Sequence, residues 1–141
     1  MKADNTIHLI GRIREKANNF IVQELQKLGI KGVVPSHGDI LVTLFKHNEL
    51  TMTDIANRIH RDRSTVTTLV NKLMKFGYIA ARKNPEDGRS SIIFLTQKGR
   101  ELESGFYEIS QKLYEVQYKG ISDEEKQVLQ KLLTKINSNF G

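Results

Sequence analysis

The sequence predicts a mainly α fold interrupted once by a small β-hairpin. Three observations carry that reading. Apolar residues recur at three- and four-residue spacing through most of the 141 residues, the helical period stops between Tyr78 and Leu95, and glycines or capping residues stand where the periodic runs end or begin.

The first helix presents Ile7, Ile10, Ile13, Ala17, Phe20, Ile21, Leu25 and Leu28 on one stripe, and Gly29 suits a left-handed stop. Pro35 and Ser36 open a second helix with Ile40, Leu41, Leu44 and Phe45 on its apolar face, and Asp39 completes a capping-box-like start. Thr51 with Asp54 signals a third before Ile55, Ala56 and Ile59. Asp62 caps a fourth, whose stripe is Val66, Leu69, Val70 and Leu73 and which Gly77 ends. The third and fourth are short and joined through His60 and Arg61, a helix-turn-helix arrangement. Tyr78 to Asn84 and Arg89 to Leu95 read as two strands around the turn Pro85-Glu86-Asp87-Gly88. Thr96 then caps a long helix through Leu102, Phe106, Ile109, Leu113 and Val116. Gly120 stops it, and Ser122 with Glu125 starts a last helix bearing Val128, Leu129, Leu132, Leu133 and Ile136. Six helices with a two-stranded wing directly after the helix-turn-helix make the winged-helix pattern.

Composition excludes several function classes. With no cysteine there is no disulfide framework, thiolate metal site or thiol switch. His8, His37, His47 and His60 lack the spacing of a zinc site, so no metal or other cofactor is expected. No apolar run approaches the roughly 20 residues that span a bilayer, and the N-terminal residues have no signal-peptide character, so a cytoplasmic protein with no membrane partner is expected. Neither a G-x-G-x-x-G, P-loop, H-E-x-x-H nor G-x-S-x-G motif occurs, and Asp123, Glu124 and Glu125 suit the positive end of a helix dipole, which argues against an enzyme.

The net charge of +6 has an address. Residues 61–100 hold nine of the 22 cations and three of the 16 anions, which leaves thirteen of each elsewhere. The whole excess therefore lies between Arg61 and Arg100, the stretch that holds the fourth helix and the hairpin. Ser64, Thr65, Thr67, Thr68, Asn71 and Lys72 occupy the polar face of that helix, Arg63 stands at its start, and Arg82 and Arg89 belong to the hairpin. Asparagine can contact adenine bidentately, threonine offers a methyl and a hydroxyl, and an arginine at a narrow tip suits the minor groove. Surface hydroxyls and basic clusters usually only face solvent. Their coincidence with two capped helices and a wing favours double-stranded DNA as partner.

On these residues the sequence resembles the MarR family of bacterial transcriptional regulators. The matching segments are Leu50 to Ala56, Arg63 to Thr67, Leu73 to Ile79, Asp87-Gly88-Arg89-Ser90 and Leu95 to Arg100. The resemblance implies one MarR-type domain over residues 1–141 forming a triangular homodimer, with a DNA-binding lobe at 33–100 and dimerisation helices at 1–32 and 101–141. It implies a regulator, commonly a repressor, that binds a pseudo-palindromic operator with half-sites roughly 34 to 36 Å apart. Arg89 would enter the minor groove with Asp87 holding it by a charge-assisted hydrogen bond, and Ser36 and His37 would reach phosphates. A small phenolic or other anionic lipophilic ligand would release the DNA, and Arg12 and His37 could meet it near the hinge. The rival reading is a winged-helix protein–protein adaptor or sequence-neutral DNA binder, which predicts little preference among duplexes.

Overall fold

A computed structural model describes residues 3–30 and 32–141. The elements are α1 (Thr6–Lys27), α2 (Pro35–His47), β1 (Glu49–Thr51), α3 (Met52–Ile59), α4 (Arg63–Lys75), β2 (Ile79–Lys83), β3 (Ser91–Leu95), α5 (Gln97–Arg100), α6 (Glu103–Gln117) and α7 (Asp123–Asn139). The six expected helices and the hairpin are present. Two features were not expected, namely the strand β1 and the one-turn helix α5.

Strand β1 makes the wing a three-stranded antiparallel sheet in the order β1-β3-β2. Ile93 of β3 lies opposite both Leu50 and Ala81, and Ile93 is fully buried. A strand of three residues is too short for alternation to register in sequence. Thr96 does cap a helix, but that helix is α5, and α6 begins only at Glu103. The Thr96 hydroxyl accepts from the Gly99 N–H and donates to the Gly77 carbonyl, fastening the end of the hairpin to the end of α4.

Local capping follows the residue chemistry elsewhere. Thr51 and Asp54 satisfy each other's backbone amides at 3.1 and 3.2 Å, and Ser122 and Glu125 do so at 3.1 and 3.0 Å. The start of α2 departs from the expected pattern. Its N-cap is Val34, and the Val34 N–H donates to His37 Nδ1 at 3.1 Å, while Asp39 lies further along the helix. Between α3 and α4, His60 adopts the left-handed conformation at φ 57°, which turns the chain in one residue.

The chain divides into two compact units, Met1–Ile109 and Ser110–Gly141. The first holds the core. Ile40, Leu41 and Leu44 of α2, Ile55 of α3, Val66, Val70 and Leu73 of α4, and Ile93 of β3 are fully buried, joined by Leu25 of α1 and Phe106 of α6. In the same unit Ile7, Leu9 and Ile13 of α1 remain exposed in the single chain. In the second unit, Lys126 Nζ lies 4.9 Å from the ring centres of both Tyr114 and Tyr118 and donates to the Tyr114 hydroxyl at 3.1 Å. Helix α7 buries none of its residues, and Val128, Leu129, Leu132 and Leu133 are exposed.

Candidate nucleic-acid interface

Helix α4 is fixed from below by its buried stripe and from its N-terminus by one carboxylate. Asp62 accepts from the Thr65 N–H at 2.8 Å, the Ser64 hydroxyl at 2.7 Å and the Thr65 hydroxyl at 2.9 Å. Those bonds, the Ser64 hydroxyl first, lower the Asp62 carboxyl from 3.8 to about 2. One turn on, the Thr67 and Thr68 hydroxyls donate to the carbonyls of Arg63 and Ser64 at 2.9 and 3.2 Å. Arg63, Ser64, Thr68, Asn71 and Lys72 are exposed, and Thr65 and Thr67 are half-buried beside them. The structure thus gathers the helix residues expected to meet the major groove.

The wing tip is shaped by two side chains acting on backbone. Asn84 Oδ1 accepts from the Glu86 N–H at 3.0 Å, and Asn84 Nδ2 donates to the Ser90 hydroxyl at 2.9 Å. Asp87 Oδ1 accepts from the Arg89 N–H at 3.0 Å. Asp87 therefore positions Arg89 through its main chain, and no ion pair joins their side chains among the described residues. Arg63, Asp87, Arg89 and Ser90 share an open cleft of about 350 Å³ with Thr51 and Thr53 at the start of α3. Two arginines on separate elements thus face one space large enough for a phosphate group.

Arg82 stands apart. Its guanidinium pairs with Glu49 at 2.7 Å, diagonally across β3, because Arg82 and Thr51 both lie opposite Ile92 and Glu49, two residues before Thr51, shares its face. Ser36 is half-buried. His37 is 2% exposed, so its ring caps α2 from inside the core and does not present itself to a phosphate. Burial, reinforced by the charge of Lys72, lowers its pKa from the ordinary 6.5. Arg12 is exposed on α1 and shares no contact with His37 among the described residues. Lys98 donates to the Phe76 carbonyl at 2.8 Å at the end of α4, where a cation also complements the helix dipole. No group of three metal-ligating side chains converges among the described residues, and no helix there is long and apolar enough to cross a membrane.

The family model described as MarR family matches residues 35–91, from the start of α2 through the wing tip. Over those residues the chain is similar to the MarR family. Among curated proteins it is 25% identical over 110 residues to the HTH-type transcriptional regulator YdgJ of Bacillus subtilis, covering 78% of this chain and 67% of that protein. It is 22% identical to the HTH-type transcriptional repressor IacR of Pseudomonas putida over 99% of this chain and 81% of that one. Among solved structures, the S. aureus MepR–DNA complex superposes with a TM-score of 0.88 at 25% identity, covering 98% of this chain and 99% of that one.

The residues that sequence reasoning missed are those that shape the wing. Asn84 and Ser90 bracket the tip six positions apart, and an Asn-Pro pair before an Asp-Gly pair was the signal available. Glu49 carried no such signal, because its pairing with Arg82 depends on sheet register.

Proposed function

We propose that the protein is a sequence-specific DNA-binding transcriptional repressor that works in the cytoplasm as a homodimer and catalyses no reaction. The observation that carries this is the convergence of Asn71, Lys72 and the hydroxyls of α4 on one exposed face, flanked by the cleft that Arg63 shares with Arg89. Asn71 reads base edges in the major groove, Arg89 enters the minor groove, and Arg63 and Lys72 neutralise phosphates. The exposed apolar residues of residues 1–32 and 101–141 supply the dimer interface, and residues 33–100 supply the DNA-binding lobe. A small phenolic or other anionic lipophile releases the operator by binding a different lobe spacing more tightly. Of the two residues named for that ligand, Arg12 is exposed, whereas His37 is enclosed.

Selection of bound duplexes from a random pool tests the reading. A pseudo-palindrome bound roughly a thousandfold more tightly than random DNA is the expected outcome. Arg89→Ala then weakens binding and flattens its salt dependence, while Asn71→Ala mainly relaxes base choice. Unchanged binding by both variants contradicts the assigned face, and a stable monomer in micromolar sedimentation contradicts the dimer.

A further inference from the structure

The hydroxyls on α4 are not interchangeable donors and acceptors. Each has one hydrogen and two lone pairs, and an ionised carboxylate can only accept. Ser64 Oγ lies 2.7 Å from Asp62 Oδ1 and Thr65 Oγ1 lies 2.9 Å from Asp62 Oδ2, so both hydroxyls donate their single hydrogen to Asp62. With its carboxyl pKa held at about 2, Asp62 stays ionised wherever DNA is bound. What Ser64 and Thr65 can still offer a ligand is lone pairs and, for Thr65, a methyl group. A phosphate oxygen is an acceptor as well and would also approach the Asp62 charge, so the backbone is a poor partner for this corner of the helix. Base edges divide cleanly. In the major groove adenine N6 and cytosine N4 donate, whereas guanine O6 and N7 and thymine O4 accept.

We propose that Asp62 is a specificity-determining residue that makes Ser64 and Thr65 acceptors, so that each selects adenine or cytosine over guanine or thymine on the strand it faces. This inference rests on the reading of α4 as the helix that enters the major groove.

The test exploits a near-isosteric change. In Asp62→Asn the amide oxygen still accepts from the Thr65 N–H and the Ser64 hydroxyl, which fixes the amide orientation and keeps a good helix cap. The amide nitrogen then takes the place of Oδ2 and donates to Thr65 Oγ1, turning the Thr65 hydroxyl hydrogen outward. Duplexes are selected from a random pool with the full-length wild type, Asp62→Asn and Thr65→Val. The position at which Thr65→Val loses discrimination locates the Thr65 contact. There the wild type should prefer adenine or cytosine by roughly fivefold, and Asp62→Asn should prefer guanine or thymine by a similar factor. With wild-type protein alone, replacing that adenine by purine, or that cytosine by 2-pyrimidinone, removes only the amino group and should weaken binding roughly fivefold. A wild-type preference for guanine or thymine at that position overturns the proposal, as do identical preferences for wild type and Asp62→Asn, or indifference to loss of the amino group. If the wild type enriches no duplex at all, the DNA reading itself fails and this inference falls with it.

Discussion

Gly99→Ala should destabilise the protein although it places a better helix former in a helix. Gly99 is the third residue of α5, buried, with its N–H donating to Thr96 Oγ1 at 3.1 Å. A Cβ built there would lie 2.0 Å from the Tyr78 carbonyl oxygen, 2.9 Å from the Tyr78 carbonyl carbon and 3.1 Å from Leu95 Cδ2. Carbon and oxygen atoms ordinarily approach to roughly 3.3 Å, so the backbone must part by about 1 Å. Tyr78 cannot retreat freely, since its carbonyl accepts from the Thr96 N–H at 3.1 Å and its N–H donates to the Leu73 carbonyl at 3.2 Å. Helix propensity alone would favour alanine by about 1 kcal/mol. Against this stand about 3 kcal/mol of overpacking against rigid backbone and about 1 kcal/mol for a weakened Thr96–Tyr78 hydrogen bond. The net loss is about 3 kcal/mol, or roughly 10 °C in Tm for a domain of this size. Urea unfolding followed by circular dichroism, with protein concentration fixed because dimerisation would shift the midpoint, measures it. Since Tyr78 lies between the end of α4 and the start of β2, displacing it should lower duplex affinity even where the variant stays folded. A variant as stable as wild type, or more stable, refutes the argument that this approach is what requires glycine.

Two further outcomes follow from single contacts. The pKa of His37 is lowered in the folded state, chiefly by burial, so its contribution to stability is complete above the unfolded value of 6.5 and is lost as pH falls through the lower folded value. Urea midpoints of wild type should therefore drop between pH 7.5 and 5 more than those of His37→Leu, and parallel profiles would show that the ring does not titrate against folding. The Arg82–Glu49 pair is half-exposed and should contribute only about 0.5 kcal/mol in a double-mutant cycle. Glu49→Ala should nonetheless tighten duplex binding and steepen its salt dependence by about one counterion per lobe, and an unchanged slope would mean that Arg82 does not reach DNA even when released.

The parts of the fold legible in the sequence are those whose cause is local. Thr51 with Asp54 and Ser122 with Glu125 cap their helices within four residues, and the stripe of α4 follows from the helical period alone. Where the cause spans the fold, sequence patterns mislead. The cap of α2 comes from an imidazole three residues inside the helix, a role usually sought in a hydroxyl or carboxylate, so Ser36 and Asp39 drew the attention that belonged to His37. The helix after Thr96 breaks into α5 and α6, although an apolar period runs on from Leu102 in the sequence. At the site, the chemistry of Asn71 and Lys72 can be read from residue type and helix face. The engagement of Arg82 cannot, because its partner is 33 residues away and two strands over.

That distinction bounds the electrostatics. Of the nine cations in residues 61–100, Arg82 is paired with Glu49, Arg100 lies 3.5 Å from Glu103 and donates to Asn48, and Lys98 holds the Phe76 carbonyl. These three secure the sheet, the start of α6 and the end of α4, and moving any of them to a phosphate would dismantle a contact that positions the wing. Six cations per lobe then remain for DNA, or about twelve for a symmetric pair, which limits the slope of log affinity against log salt to about −11. A measured slope within that limit fits a wing whose basic residues divide between holding the scaffold and holding DNA. A steeper one would mean that the internal pairs open on binding or that cations outside residues 61–100 join the interface, and Glu49→Ala tells these apart: in the first case Arg82 already counts in the wild-type slope and the variant leaves that slope unchanged, whereas in the second the freed Arg82 steepens it further.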